Sequence, residues 1–409
     1  MSSDDAPQLR YGAVRGGAAA RLIACFGRWI RLGSLSLVLP DGSAVTLRGE
    51  QAGPVARAEV HSWRALWRIF AGQAVGLANS YAQGEWDSPD PSAVVELAAR
   101  NLDLGGPAPN FAWAVRPWRR FRHWLRTNTR RGSRRNISFH YDLGNDFYAL
   151  WLDKSMTYSS ALFVRPGLTL EQAQEAKYRR LLDSLRSKPG QHILEIGCGW
   201  GGLAEIAARD YGLRVTALTL SSEQLAYARD RIARAGLADL VDVRLCDYRD
   251  VEGRFDHVVS IEMMEAVGEA YWPVYFGRIA ECVAPGGRVG IQVITIADEL
   301  FDRYRRRPDF IQMQVFPGGM LPTPTIVREL ADRVGLSHRR DFGFGVDYGR
   351  TLAEWRGRFL AARDSLASLG RDRKFSRLWA FYLAYCEGGF RSGRIDVRQF
   401  SFQKPENSK

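Results

Sequence analysis

The stretch His192–Gly202, read His-Ile-Leu-Glu-Ile-Gly-Cys-Gly-Trp-Gly-Gly, constrains this chain more than any other. Ile193, Leu194 and Ile196 form a short apolar run between Pro189-Gly190 and a glycine cluster. That pattern predicts a buried parallel strand entering a tight loop. Leu203 to Arg209 is Ala-rich and helical in pattern, so the unit is strand, glycine loop, helix, the opening of a nucleotide-binding β-α-β. Gly197, Gly199 and Gly201 let a ligand approach backbone that a Cβ would block. Glu195 precedes the first glycine by two residues. A carboxylate there disfavours a phosphate and suits a cationic ligand. The plain alternative is a β-α turn with no ligand.

Beyond the loop, strands and helices alternate. Strands are expected at Val215–Leu220, Val241–Leu245, Phe255–Ile261 and Arg288–Thr295, with helices at Ser221–Ala235 and Tyr271–Val283 and a turn at Pro285-Gly286-Gly287. This order predicts an α/β fold with a doubly wound, Rossmann-like parallel sheet. Ligands in such sheets sit at the carboxyl ends of the strands, where Gly197, Thr219, Asp247, Glu262 and Thr295 fall. A capped helix is expected over Thr169–Ser187, started by Thr169, Glu171 and Gln172.

The 409 residues leave room for a second domain. Residues 1–20 read as a flexible tail, and residues 21–105 as a smaller N-terminal α+β domain. Leu35, Leu37 and Leu39 alternate with Ser34, Ser36 and Val38, and Pro40-Asp41-Gly42 turns the chain towards Val45 and Leu47, a β-hairpin. Helices follow around Trp63–Phe70 and Pro91–Asn101. No catalytic cluster is visible there, so the domain reads as a scaffold or lipid-contact module. Residues 106–136 form a linker that interleaves arginines with Trp113, Trp118, Phe121, Trp124 and Leu125. That mixture suits a helix at a membrane interface, a solvated linker packed on its domain, or nucleic acid. Residues 137–400 make up the catalytic domain.

The net charge of +12 favours a polyanionic partner. Five scattered cysteines, Cys25, Cys198, Cys246, Cys282 and Cys386, fit a reducing compartment and give no metal spacing. No apolar run approaches the ~20 residues of a membrane-spanning helix. The first residues carry no basic-then-apolar leader. The expected location is therefore the cytoplasm, peripheral on the inner face of the cytoplasmic membrane.

Glu195 before Gly-x-Gly resembles motif I of S-adenosylmethionine (SAM) methyltransferases, and the ordered blocks narrow the likeness. These are His140-Tyr-Asp-Leu-Gly-Asn, Met156-Thr-Tyr-Ser-Ser-Ala, Leu194 to Gly202, Leu218-Thr-Leu-Ser-Ser-Glu-Gln, Asp247-Tyr-Arg-Asp, Ser260-Ile-Glu-Met-Met-Glu-Ala-Val-Gly, Asp309-Phe-Ile with Phe316-Pro-Gly-Gly-Met-Leu-Pro, and Asp347-Tyr-Gly-Arg-Thr-Leu. In that order, over roughly residues 30–395, the chain resembles the cyclopropane fatty acid and mycolic acid cyclopropane synthases.

The resemblance implies transfer of a methylene from SAM across a cis double bond of an acyl chain in a membrane phospholipid. Alkene π electrons attack the sulfonium methyl, and a base, bicarbonate in this family, removes a proton as the ring closes. Carried over, Tyr158, Ser159, Glu195, Gly197, Gly199, Thr219, Gln224, Asp247, Tyr248 and Arg249 contact SAM. Glu265 and Tyr348 hold the bicarbonate, joined by the backbone N–H at Ser160. Implied partners are unsaturated acyl chains, an anionic membrane surface and, as an assembly, a homodimer, with no nucleic acid and no metal.

Three positions depart from the family pattern. Ser160 stands where cysteine is usual, Ala266 where histidine is frequent, and Ile294-Thr295-Ile296 where His-Thr-Ile is expected. Gln292, on the same strand face, is a candidate replacement donor. A weakened base leaves open an alternative product, a methyl-branched or methyl-alkene chain without a ring. An RNA methyltransferase would carry a catalytic cysteine or an Asn/Asp-Pro-Pro-aromatic motif after the fourth strand, where Ser260-Ile-Glu-Met-Met-Glu stands instead. A lipid-binding protein without activity would tolerate a damaged glycine loop, and this loop is intact.

Overall fold

The computed structural model describes residues 29–103 and 143–406, with 14, 15, 17 and 23 besides. The linker expected at 106–136, residues 140–142 of the His140 block and most of the 1–20 tail lie outside the described residues. The chain divides into two compact units, Met1–Arg116 with Arg371–Ser392, and Pro117–Gly370 with Gly393–Lys409.

The first unit carries a five-stranded sheet of order β1-β3-β2-β4-β5. Its strands are β1 (Val14–Arg15), β2 (Leu32–Val38), β3 (Ala44–Arg48), β4 (Gln51–Val60) and β5 (Trp86–Asp87). β2 and β3 form the expected hairpin, with Leu35 opposite Leu47. Gly42 sits at φ 78° in its turn, and Asp41 Oδ1 accepts the Ser43 N–H at 3.0 Å. Val14 and Arg15 pair with β3, so that part of the tail is strand. The helix Trp63–Ala82 starts at Ser62, whose hydroxyl accepts the Arg64 N–H, and breaks at Gln73, φ 50°.

The helix Arg373–Arg391 also belongs to this unit, although the sequence places it inside a continuous catalytic domain at 137–400. It packs on the helix Pro91–Asp103 so closely that a Cβ on Gly388 would lie 2.7 Å from Ser92 O and Val95 Cβ. Arg377 donates to the carbonyls of Tyr81 and Trp86. These long-range contacts leave no mark in local periodicity.

The second unit has the expected α/β architecture around a seven-stranded sheet of order β11-β12-β10-β9-β6-β7-β8. Five strands are parallel: β6 (His192–Ile196), β7 (Arg214–Thr219), β8 (Val241–Leu245), β9 (Phe255–Ile261) and β10 (Val283–Ile296). β11 (Ser337–Gly343) and β12 (Ile395–Gln403) add an antiparallel edge. β10 begins at Val283, and the expected turn at Pro285-Gly286-Gly287 is a register shift inside it.

Successive strand residues feed opposite faces. Ile193 joins Leu181, Leu182, Leu203 and Ile232 on one side, while Leu194 joins Phe276, Ile279, Val327 and Leu330 on the other. Each core side chain so buried contributes about 1.5–3 kcal/mol. The helix Leu170–Leu185 opens with the anticipated capping box, Thr169 and Gln172 exchanging hydrogen bonds. Among the described residues no helix is long and apolar enough to cross a membrane.

Candidate active site

A pocket opens where β6, β7 and β9 end. The loop after β6 is fixed to β7, because Leu218 O accepts the N–H of both Gly197 (3.0 Å) and Cys198 (2.8 Å). Gly197, φ 84°, admits no side chain, since a Cβ would stand 2.4 Å from Met263 Cγ. Trp200 is buried, donates from Nε1 to Asn145 Oδ1 at 2.7 Å and packs 5.2 Å from the Tyr148 ring. The guanidinium of Arg231 ties the loop at Trp200 O to Ser155 O.

The opposite wall is the segment Met156–Ser159. Met156 takes a left-handed φ of 53°. Tyr158 is clasped by Tyr148, Trp151 and Trp355, with ring centroids 5.4–5.5 Å away. From the helix Leu170–Leu185, Gln174 Nε2 donates to Ser159 O (2.9 Å) and Lys177 Nζ to Ser159 Oγ (2.6 Å). Lys177 has no exposure to solvent. Sequence reasoning missed it, although the signal was there: Gln174 and Lys177 fall on the apolar stripe of Ala173, Leu181 and Leu182.

Glu262, which the sequence places only among the residues at the strand ends, is the second side chain to which sequence reasoning gave no role. It follows β9 directly and takes a left-handed φ of 52°, strain of about 1–3 kcal/mol that functional sites tend to hold. Its Oε1 accepts the Ser160 N–H (2.9 Å) and Gln292 Nε2 (2.8 Å), and its Oε2 accepts the Tyr348 hydroxyl (2.7 Å). Gln292 is oriented in turn by Gln399 Nε2, which donates to its Oε1 at 3.1 Å.

Of the expected SAM contacts, Tyr158, Ser159, Glu195, Gly197, Gly199, Thr219, Gln224 and Tyr248 meet on the pocket wall. Thr219 Oγ1 donates to Gln224 Oε1 at 2.9 Å, which turns the Gln224 amide nitrogen away from Thr219. Asp247 and Arg249 lie off the wall. Their side chains bind each other through two hydrogen bonds of 2.6 and 2.8 Å, the Arg249 N–H adds a third to Asp247 Oδ1 at 3.0 Å, and together they brace the loop that carries Tyr248. Ser160, Glu265 and Tyr348 also stand behind the wall. Two of them reach it through Glu262, so the tyrosine hydroxyl expected beside Glu265 serves Glu262 instead. Glu265 Oε1 accepts the Ile294 N–H, and its Oε2 is buried without a partner.

Burial dominates the electrostatics. It pushes Glu195 up to about 8 against the pull of Lys177, and pushes Lys177 down to about 7 against Glu262, Asp153 and Glu195. Glu265 rises to about 8 through burial and the neighbouring Glu262 charge. Glu262 is also raised by burial, while Ser160 N–H, Lys177, Tyr348 and Gln292 all favour its anion.

SAM, with a sulfonium and an ammonium, fits these residues. Glu195 Oε2 is buried in the wall without a hydrogen-bond partner, which leaves an acceptor for a cationic ligand. Bicarbonate does not fit. The Ser160 N–H and the Tyr348 hydroxyl end on Glu262, the Ile294 N–H ends on Glu265, and a further anion would have to displace Glu262 from its donors.

The fold and the pocket are those of a SAM-dependent methyltransferase. A family model described as mycolic acid cyclopropane synthetase matches residues 128–400, and the chain belongs to that family. A tuberculostearic acid methyltransferase of Mycobacterium tuberculosis is 40% identical over 95% of this chain and 92% of its own length. The cyclopropane-fatty-acyl-phospholipid synthase of Escherichia coli K12 is 37% identical over 65% of this chain and 66% of its own. Among solved structures, a mycolic acid cyclopropane synthase complexed with SAH and CTAB is 31% identical and covers 66% of this chain and 98% of its own, with a TM-score of 0.62. The chain is accordingly a C-methyltransferase.

Proposed function

We propose that the chain transfers the methyl carbon of SAM to the cis double bond of an unsaturated acyl chain carried by a membrane phospholipid. The observation that carries this reading is the unpartnered Glu195 carboxyl oxygen in the wall of a pocket that Tyr158, Trp200 and Tyr248 also line. Bound SAM supplies an electrophilic methyl carbon. Glu195 would meet its cationic groups, the Gly197 and Gly199 backbone would cradle it, and Thr219, Gln224, Ser159 and Tyr248 would complete its site, with Asp247 and Arg249 bracing Tyr248. Aromatic faces stabilise positive charge on the acyl chain without adding to it as water would. Ser160, Tyr348 and Glu265 hold the anionic end of the site. The net charge of +12 and the exposed Trp63 and Trp67 support contact with an anionic bilayer, with the protein peripheral at its cytoplasmic face.

Two products share this first step, a cyclopropane ring or a methyl-bearing chain left open. The open chain is favoured by a specific observation: a relative that matches 95% of the chain is named a tuberculostearic acid methyltransferase, not a cyclopropane synthase. Expression in a host lacking such an enzyme, with mass spectrometry of its fatty acids, tests the reading. A gain of one CH2 is expected. If the product with this CH2 gain takes up no hydrogen under conditions that saturate alkenes, it is a ring; if it takes up hydrogen, it is a methyl alkene or methylidene. No gain overturns the reading.

A further inference from the structure

We propose that Glu262 is the base that takes the proton released after methyl transfer, so that a side chain of this protein occupies the place of a diffusible anion. The inference rests on the alkene methylation set out above. Three groups converge on one carboxylate: the Ser160 N–H, the Gln292 amide and the Tyr348 hydroxyl, at 2.7–2.9 Å. Such a donor set belongs to an anion-binding site. Here its occupant is built into the chain, on the pocket wall, and aimed there by a left-handed backbone.

The lone pairs divide unequally. Oε1 accepts two donors, Oε2 accepts one from Tyr348, and Oε2 keeps the capacity for a proton. The step is a proton transfer. For a ring, a C–H bond of the transferred methyl breaks and its electron pair bonds to the cationic carbon of the acyl chain; for an open chain, a C–H bond on a carbon next to the cationic carbon breaks and its pair forms the new double bond. In either case the proton goes to Glu262 Oε2. It passes to solvent when the product leaves. A loose carboxylate would instead bond to the cation as an ester. Three donors and the fixed backbone hold this one short of that attack. Tyr348, Gln292 and Ser160 are positioning residues that act through Glu262.

The test uses the full chain, SAM and vesicles of a cis-unsaturated phospholipid in buffer freed of carbon dioxide. The variants are Glu262→Gly, which vacates the donors, and Glu262→Gln, which keeps the shape. Wild-type turnover is expected to be unchanged by added bicarbonate. Both variants should lose ~100-fold in kcat, the lower part of the range for a general base, and should bind SAM by calorimetry as the wild type does. Glu262→Gly should recover at least about tenfold with added formate or bicarbonate, and should bind isotopically labelled bicarbonate by NMR where the wild type does not. Wild-type turnover that requires bicarbonate overturns the proposal, as does full turnover by Glu262→Gly without it. Loss in Glu262→Gly with neither rescue nor bicarbonate binding assigns Glu262 a structural role and also overturns it. A wild type that binds SAM but methylates no lipid defeats the alkene reading itself and the inference with it.

Discussion

Replacing Gly197 by alanine is expected to weaken SAM binding by about 10- to 100-fold, equivalent to about 1.4–2.8 kcal/mol. Two effects combine at this position. At φ 84° an L-residue is strained, and the new Cβ would stand 2.4 Å from Met263 Cγ and 2.7 Å from its Sδ. Met263 lines the same pocket, so relief of the clash moves a side chain into the ligand's space or shifts the loop. Gly236→Ala is the control, because Gly236 also has a positive φ, 69°, and no atom within 4 Å of a new Cβ. It should lower stability by about 1–2 kcal/mol from backbone strain alone and leave SAM affinity unchanged. Calorimetric titration and urea unfolding of both variants check the pair. Equal SAM affinities for Gly197→Ala and wild type would remove the loop from the binding site.

Glu195→Gln is expected to weaken SAM binding by about 10- to 100-fold at pH 8, through loss of a charged hydrogen-bond acceptor for a cationic ligand. The pH dependence carries the sharper signature. Burial holds the Glu195 carboxyl up at about 8, so it is mostly protonated at neutral pH. A cationic ligand requires its anion. Wild-type affinity should therefore rise with pH, by at most about tenfold per unit, and level off above about 8. Lys177, pushed down to about 7, loses its positive charge over the same range and works in the same direction. The glutamine variant keeps only that second contribution, so its profile should be flatter. Proton release on binding, read from calorimetry in buffers of different ionisation heat, should fall in the variant as well. An unchanged profile would detach Glu195 from the ligand.

Local signals in the sequence account for the part of the site built from backbone. The glycine loop, the hairpin turn at Asp41-Gly42 and the Thr169 cap are each set by a few neighbouring residues, and the structure has them where they were expected. The strand order follows from alternation of short apolar runs and helices. The antiparallel edge β11-β12 was harder to see, because β12 is completed only after the chain has left for the other unit and returned. The same excursion hides the partner of Gly388.

Side-chain convergence was the least legible part. Glu262 stood out in sequence only as one of several residues at strand ends. Its meeting with Ser160, Gln292 and Tyr348 joins positions 102, 30 and 86 residues away. No periodicity reports such a meeting. The missing His-Thr-Ile pattern at Ile294-Thr295-Ile296 drew attention to Gln292 as a donor from the same strand face, and Gln292 donates to Glu262. What was not visible is that Ser160 and Tyr348 meet Glu262 rather than Glu265.

The most direct measurement follows the methyl group itself. The purified chain is incubated with SAM whose methyl is trideuterated and with vesicles of a cis-monounsaturated phospholipid, and the acyl chains are released and weighed by mass spectrometry. The expected result is an acyl chain enlarged by one carbon that carries the label. Two deuteriums remain if the proton leaves from the transferred methyl, and three if it leaves from the chain. Unlabelled acyl chains, from a protein that binds SAM under the same conditions, would contradict methyl transfer to the double bond.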